Sequence, residues 1–136
     1  MTEKELCRMA VAARQNAYAP YSGYTVGAAL VTKDGKVYTG CNVENAAYSP
    51  SNCAERTAFF KAISEGEREF LAIAISGGKG DAIDGAFPPC GVCRQVMAEF
   101  CRPNFLVLLV TGEDTFARFT LSQLLPQAFT PNEVSK

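Results

Sequence analysis

Cys53, Glu55, Cys90 and Cys93 are the residues whose types and spacing could do chemistry together. Thiolates bind zinc, and three of them leave the fourth tetrahedral position open for water. Three protein ligands plus an open position mark a zinc that takes part in a reaction, not one that only braces a fold. Glu55 stands two residues after the first ligand, placed to move protons at that water. The chain has no histidine, so any zinc site must be built from sulfur and carboxylate.

The spacing itself prepares these thiols for metal. Cys90 and Cys93 are three apart and share one face of a helix launched by Pro89. Free N–H groups and the positive end of the dipole at a helix start favour thiolate over thiol. Cys53 also opens a predicted helix. Three thiolates against Zn²⁺ leave a net charge of about −1, which weakens the metal as a Lewis acid. Arg56 and Arg94 each adjoin a ligand segment and are candidates to offset that charge by hydrogen-bonding to sulfur.

Plainer readings compete. The Cys90–Cys93 pair alone fits a redox motif, although a third cysteine with Glu at plus two does not belong to one. Glu55 alone fits the helix-start partner of a cap at Asn52. A structural zinc needs a fourth ligand, which Cys41 or Cys101 would supply. Otherwise Cys7, Cys41 and Cys101 read as small buried hydrophobes. Gly77-Gly78-Lys79-Gly80 lacks the spacing and the Ser/Thr of a phosphate loop and reads as a solvated loop.

These residues need a scaffold, and 136 of them suffice for one domain over 1–136 with a core that requires no disulfides. A net charge of −1 and the lack of any basic block argue against nucleic acid as a partner. The longest apolar runs are strand-sized, too short for a membrane span. Met1–Glu5 does not read as an export signal, so the expected compartment is the cytoplasm, where thiols stay reduced.

Thr2 and Glu5 form a capping box that starts a helix, with Leu6, Met9, Ala10, Ala13 and Ala17 on one face and Pro20 ending it. Tyr24, Val26, Ala28 and Leu30 alternate as a strand, Asp34-Gly35 turns it, and residues 36–44 return. A loop over 45–52 leads to a helix from Cys53 to about Glu65, stopped by Gly66. A buried strand over 70–76, a flexible loop over 77–85 and a helix over 90–101 follow. Then come a buried strand over 105–110, a short strand over 116–120, a short helix over 121–125 and an irregular tail. Helices interleaved with apolar strands imply layered α/β architecture.

Several segments, in order, resemble the small three-cysteine cytidine deaminases. They include Tyr18-Ala19-Pro20-Tyr21-Ser22, Gly40-Cys41-Asn42-Val43-Glu44-Asn45-Ala46, Cys53-Ala54-Glu55-Arg56-Thr57-Ala58 and Pro89-Cys90-Gly91-Val92-Cys93-Arg94-Gln95-Val96, with Leu124-Leu125-Pro126 near the end. The resemblance implies a three-layer α-β-α fold with a five-stranded mixed sheet. It implies one zinc per subunit on Cys53, Cys90 and Cys93, with Glu55 as proton shuttle and Arg56 hydrogen-bonded to the ligand sulfurs. Asn42 and Glu44 would hold the ribose 3′-hydroxyl, and Tyr24 and Ala54 would line the base pocket. Ala46, Tyr48 and Phe129 would reach a neighbour's site in a homotetramer. Two positions depart from the family pattern: Tyr24 where phenylalanine is common, and Gln127 where a small residue is usual.

The activity so implied is hydrolytic deamination of cytidine and 2′-deoxycytidine to uridine and 2′-deoxyuridine with release of ammonia, a step of pyrimidine salvage. Rival readings are a blasticidin-type deaminase, a polynucleotide-editing deaminase and a zinc-stabilised binding module without turnover.

Overall fold

The structure, a computed structural model, describes residues 1–134. Helix α1 (Glu3–Ala13) starts as expected: Thr2 Oγ1 accepts from Glu5 N and the Glu5 carboxylate accepts from Thr2 N. It ends in a 3₁₀ turn, Arg14–Asn16, before Pro20 is reached. Strands β1 (Tyr24–Thr32) and β2 (Val37–Cys41) form a hairpin, with Gly35 at φ 91° in the turn. Helix α2 (Ala54–Ser64) ends at Gly66, whose φ of 99° suits glycine. Then follow β3 (Phe70–Lys79), α3 (Gly91–Phe100), β4 (Leu106–Gly112) and β5 (Thr115–Thr120). Two short helices, α4 (Leu121–Leu124) and α5 (Pro131–Val134), complete the described chain.

The five strands form one mixed sheet in the order β2-β1-β3-β4-β5. β3 and β4 are parallel and the other pairs antiparallel. The parallel crossover runs through α3, which places the N-terminus of α3 beyond the C-terminal end of β3. Alternate residues of each central strand serve two cores. Leu30, Ile73, Ile75, Val107 and Leu109 pack under Ala58, Phe59 and Ala62 of α2 and Met97 of α3. Ala29, Val31, Ala74, Leu108 and Val110 pack against Leu6, Cys7 and Ala10 of α1. Helices thus cover both faces, the expected three-layer architecture.

The structure corrects four expectations. β1 shows no exposed alternate face after Val26, because it pairs on both edges and is covered on both sides. β2 stops at Cys41, three residues early. Gly77-Gly78-Lys79 is no solvated loop: it extends β3 and pairs with Tyr24, Thr25 and Val26. The glycines are there for close approach, since a Cβ on Gly78 would sit 1.9 Å from the Ala82 carbonyl. The tail is not wholly irregular, because Pro131 suits a first helical turn and starts α5.

Gly27 lets the backbone of α1 approach the sheet closely. A Cβ there would lie 2.1 Å from the Ala10 carbonyl oxygen and 2.8 Å from Arg14 N. Backbone cannot step aside as a side chain can, so Gly27→Ala is expected to destabilise by about 3 kcal/mol. Urea denaturation checks this, and an unchanged midpoint would show that α1 lifts off β1 without cost.

Candidate metal centre and active site

α2 and α3 aim their N-termini at one point beside the ends of β1 and β3. Cys53 is the N-cap residue of α2 and Cys90 that of α3. Cys93 sits in the first turn of α3, where its N–H reaches the Cys90 sulfur at 3.5 Å. The three sulfurs all lie within 4.8 Å of one another. Cys53 and Cys90 are 3.7 Å apart. A tetrahedron with sulfurs about 2.3 Å from its centre has edges of about 3.8 Å, so the donor set fits zinc. Among the described residues Cys41 and Cys101 stand outside the cluster, which leaves no fourth thiolate for a structural site. All six cysteines are free thiols.

Charge balance at the sulfurs is unequal. Cys53 is drawn down to about 5, first by a hydrogen bond with Cys93 and next by the Arg56 guanidinium. Cys93 is raised by that same shared bond and by burial. Arg56 Nη2 donates to Cys53 Sγ at 3.2 Å. Arg94 does not take the matching role at α3. Its guanidinium donates to the carbonyls of Pro89, at 2.8 Å, and Leu124, at 2.6 Å, and so braces the loop before α3.

Glu55 is 4% exposed, on the first turn of α2, and its Oε1 has no hydrogen-bond partner. It is not the partner of a cap at Asn52, because Asn52 donates to Thr57 Oγ1 and Cys53 holds the cap position. Burial pushes the Glu55 carboxyl up to about 7. A buried acceptor without a partner, beside three sulfurs, is a group set to exchange protons with something brought to it.

Glu55 opens into a cavity of about 380 Å³, shared with Cys53, Ala54, Cys90, Asn42, Glu44 and Tyr24. That lies within the range of small-molecule sites, about 300–1,000 Å³. Asn42 Oδ1 accepts from Val26 N and its Nδ2 donates to the Tyr24 carbonyl, both at 2.8 Å. Glu44 Oε1 accepts from Tyr21 N at 3.0 Å and Ser22 N at 3.1 Å, while Oε2 accepts from Ser22 Oγ. These bonds hold its carboxyl below the usual carboxylate range. One Nδ2–H of Asn42 and the outer lone pairs of Glu44 remain for a ligand. Tyr24 is 41% exposed, so it is not a buried group whose hydroxyl demands an internal partner.

Three of the expected site residues stand apart from the sulfurs. Ala46, Tyr48 and Phe129 are exposed. Tyr48 lines a second hollow on the far side of Glu44. Phe129 is held through its carbonyl by Gln95 Nε2 at 2.8 Å. Gln127 has φ 55°, a left-handed backbone that glycine adopts more readily than glutamine. Sequence reasoning missed Phe87 and Pro88, which line the cavity beside Tyr24. The signal was a large aromatic two residues before Pro89 in an otherwise small, loop-like stretch.

Comparison with known proteins agrees with this geometry. Residues 1–109 match the family model described as cytidine and deoxycytidylate deaminase zinc-binding region. A cytidine deaminase of Sporosarcina psychrophila is 50% identical over 123 residues, covering 90% of this chain and 88% of that protein. A cytidine deaminase of Halalkalibacterium halodurans is 47% identical over 135 residues, covering 99% of each. The crystal structure of cytidine deaminase from Burkholderia pseudomallei superposes with a TM-score of 0.87 at 51% identity, covering 95% of this chain and 100% of that one.

Proposed function

The chain belongs to the cytidine and deoxycytidylate deaminase zinc-binding family, and from that premise we propose that it hydrolyses the C4 amino group of cytidine and 2′-deoxycytidine, giving uridine or 2′-deoxyuridine and ammonia. The observation that carries this reading is the buried, unpartnered Glu55 Oε1 beside three convergent thiols at one end of a nucleoside-sized cavity. Ammonia release from cytidine by the purified protein tests it, and no release from folded, zinc-loaded protein would overturn it.

Cys53, Cys90 and Cys93 would hold one zinc, which would supply a Lewis acid able to lower the pKa of water toward neutral. Glu55 accepts a proton from the attacking water and hands it to N3, which makes C4 electrophilic. The water oxygen bonds to C4. Glu55 then passes the second proton to the exocyclic nitrogen, the C4–N bond breaks, and ammonia leaves. Arg56 offsets thiolate charge through its bond to Cys53. Tyr24 and Ala54 line the base, and Asn42 and Glu44 take the ribose 3′-hydroxyl. The whole chain, 1–136, works as one domain.

Glu44 also sets specificity. A fixed carboxylate accepts from a hydroxyl and repels a phosphate, and like charges brought together cost several kcal/mol. The kcat/KM for cytidine is expected to exceed that for its monophosphate by about a hundredfold or more. Equal turnover of the two would remove Glu44 from the sugar site.

The exposed positions of Ala46, Tyr48 and Phe129 support a homotetramer with sites shared between subunits. Tyr48 is 75% and Phe129 64% exposed, so both side chains are free to meet a neighbouring subunit. Sedimentation velocity is expected to give a tetramer, and a fully active monomer would refute sharing. The compartment we propose is the cytoplasm, consistent with six free thiols, and the role is pyrimidine salvage. No described helix is long and apolar enough to cross a membrane.

A further inference from the structure

Arg14 is a buried arginine for which the chemistry above has no use. It is 6% exposed and, among the described residues, makes no salt bridge. Burial lowers its pKa, against weaker opposing fields from Asp81 and Asp84. Such a group is retained only where its donors are well used. Its Nε donates to Thr25 Oγ1 at 3.0 Å and its Nη1 to Ser76 Oγ at 3.4 Å. Nη2 donates to two carbonyls of the segment after β3, Gly80 at 3.1 Å and Ala82 at 2.5 Å. Thr25 Oγ1 adds its own bond to the Gly80 carbonyl, at 2.7 Å.

This segment leaves the C-terminal end of β3 and passes from one face of the sheet to the other. Thr25, Gly27 and Ser76 face α1, by the alternation that puts Ala29 and Ala74 in the same layer. Val26 and Gly77 face the cavity side. After Gly80 and Ala82 the chain returns over Gly77 and brings Phe87 down onto it. A Cβ on Gly77 would meet the Phe87 ring at 2.5 Å, so the ring lies flat on bare backbone. Phe87 then packs against the Tyr24 ring, 6.0 Å centroid to centroid and tilted by 33°, and both rings line the cavity.

We infer that Arg14 is a positioning residue for the base pocket: from the far face of the sheet it ties down residues 80–82, and through that strap it holds Phe87 packed against Tyr24 at the pocket wall. This rests on the proposed function for the identity of the ligand, although the strap itself does not. Arg14 touches no atom that lines the pocket, so it acts on binding geometry and not on proton transfer. Loosening it therefore raises KM while kcat holds.

The test uses zinc-loaded wild type, Arg14→Lys, Phe87→Ala and the double variant. Lysine keeps the charge but cannot reach four acceptors. Arg14→Lys and Phe87→Ala are each expected to raise KM for cytidine about tenfold, with kcat within about twofold, from the loss of one well-placed aromatic wall. If Arg14 acts through Phe87, the double variant also shows about tenfold, not about a hundredfold. A kcat loss at unchanged KM, or a multiplicative double variant, would overturn the inference.

Should Arg14→Lys fail to fold, Thr25→Val carries the test, since it removes only one hydroxyl of the tie. It is expected to raise KM about threefold and to speed amide exchange over residues 80–88. Wild-type KM together with wild-type exchange would overturn the inference. The wild type itself separates the two ideas. If it releases no ammonia, the proposed function fails and exchange alone judges the strap: faster exchange over 80–88 in the variants supports it and unchanged exchange sinks it.

Discussion

Glu55→Gln should lower kcat for cytidine about a thousandfold while leaving KM within a few-fold and the zinc content at one per subunit. General acid–base catalysis is worth about 10²–10⁴-fold, and glutamine keeps the shape of the side chain but cannot carry a proton. The position makes this a clean experiment. Glu55 is buried on the first turn of α2, and the Oε1 that matters has no protein partner to lose. The amide therefore breaks no bond at that atom, and the variant should melt within about 1 kcal/mol of wild type. The competing idea is that Glu55 only orients water. An amide also orients water, so a Glu55→Gln variant within about tenfold of wild type would establish orientation and remove the shuttle.

What could be read from residue order alone was the chemistry closest to helix starts. Cys90 and Cys93 lie on one helix turn whatever the tertiary fold, and Pro89 marks where that turn begins. Cys53 precedes a helix in the same local way. What could not be read depends on neighbours distant in sequence. Arg56 and Arg94 each adjoin a ligand segment in the chain, yet only Arg56 reaches sulfur, while Arg94 donates to the carbonyls of Pro89 and Leu124 instead. Gly77 and Gly78 look like loop residues until β1 pairs beside them and Phe87 and Ala82 fold over them. Arg14 reads as a polar helix-end residue, since nothing local announces the four acceptors that converge on it. Phe129, Tyr48 and Ala46 stay apart from the sulfurs in one chain, so family resemblance gives them a role that a single copy has no partner to express.

Metal removal should separate a zinc that reacts from a zinc that folds. The two cores on either face of the sheet are built from aliphatic, aromatic and small residues of all five strands' neighbourhood, and Cys53 and Cys90 belong to neither. The sheet therefore has its own stabilisation, and the chelated protein is expected to keep its far-UV circular dichroism while activity falls below about a thousandth. A ligand at a hundred times its dissociation constant adds about 2.7 kcal/mol to folding. For a chain of this size that corresponds to a loss of about 10 °C in Tm on chelation. Cys93→Ala should behave as a permanently chelated protein, since it removes one of three ligands and leaves α3 intact from Cys90 onward. Restoring zinc should recover activity in chelated wild type and not in Cys93→Ala. If chelation instead melts the sheet at room temperature, zinc is the keystone of the fold. Melting alone would not make the chain a binding module, and turnover by the reloaded protein would then separate the two readings.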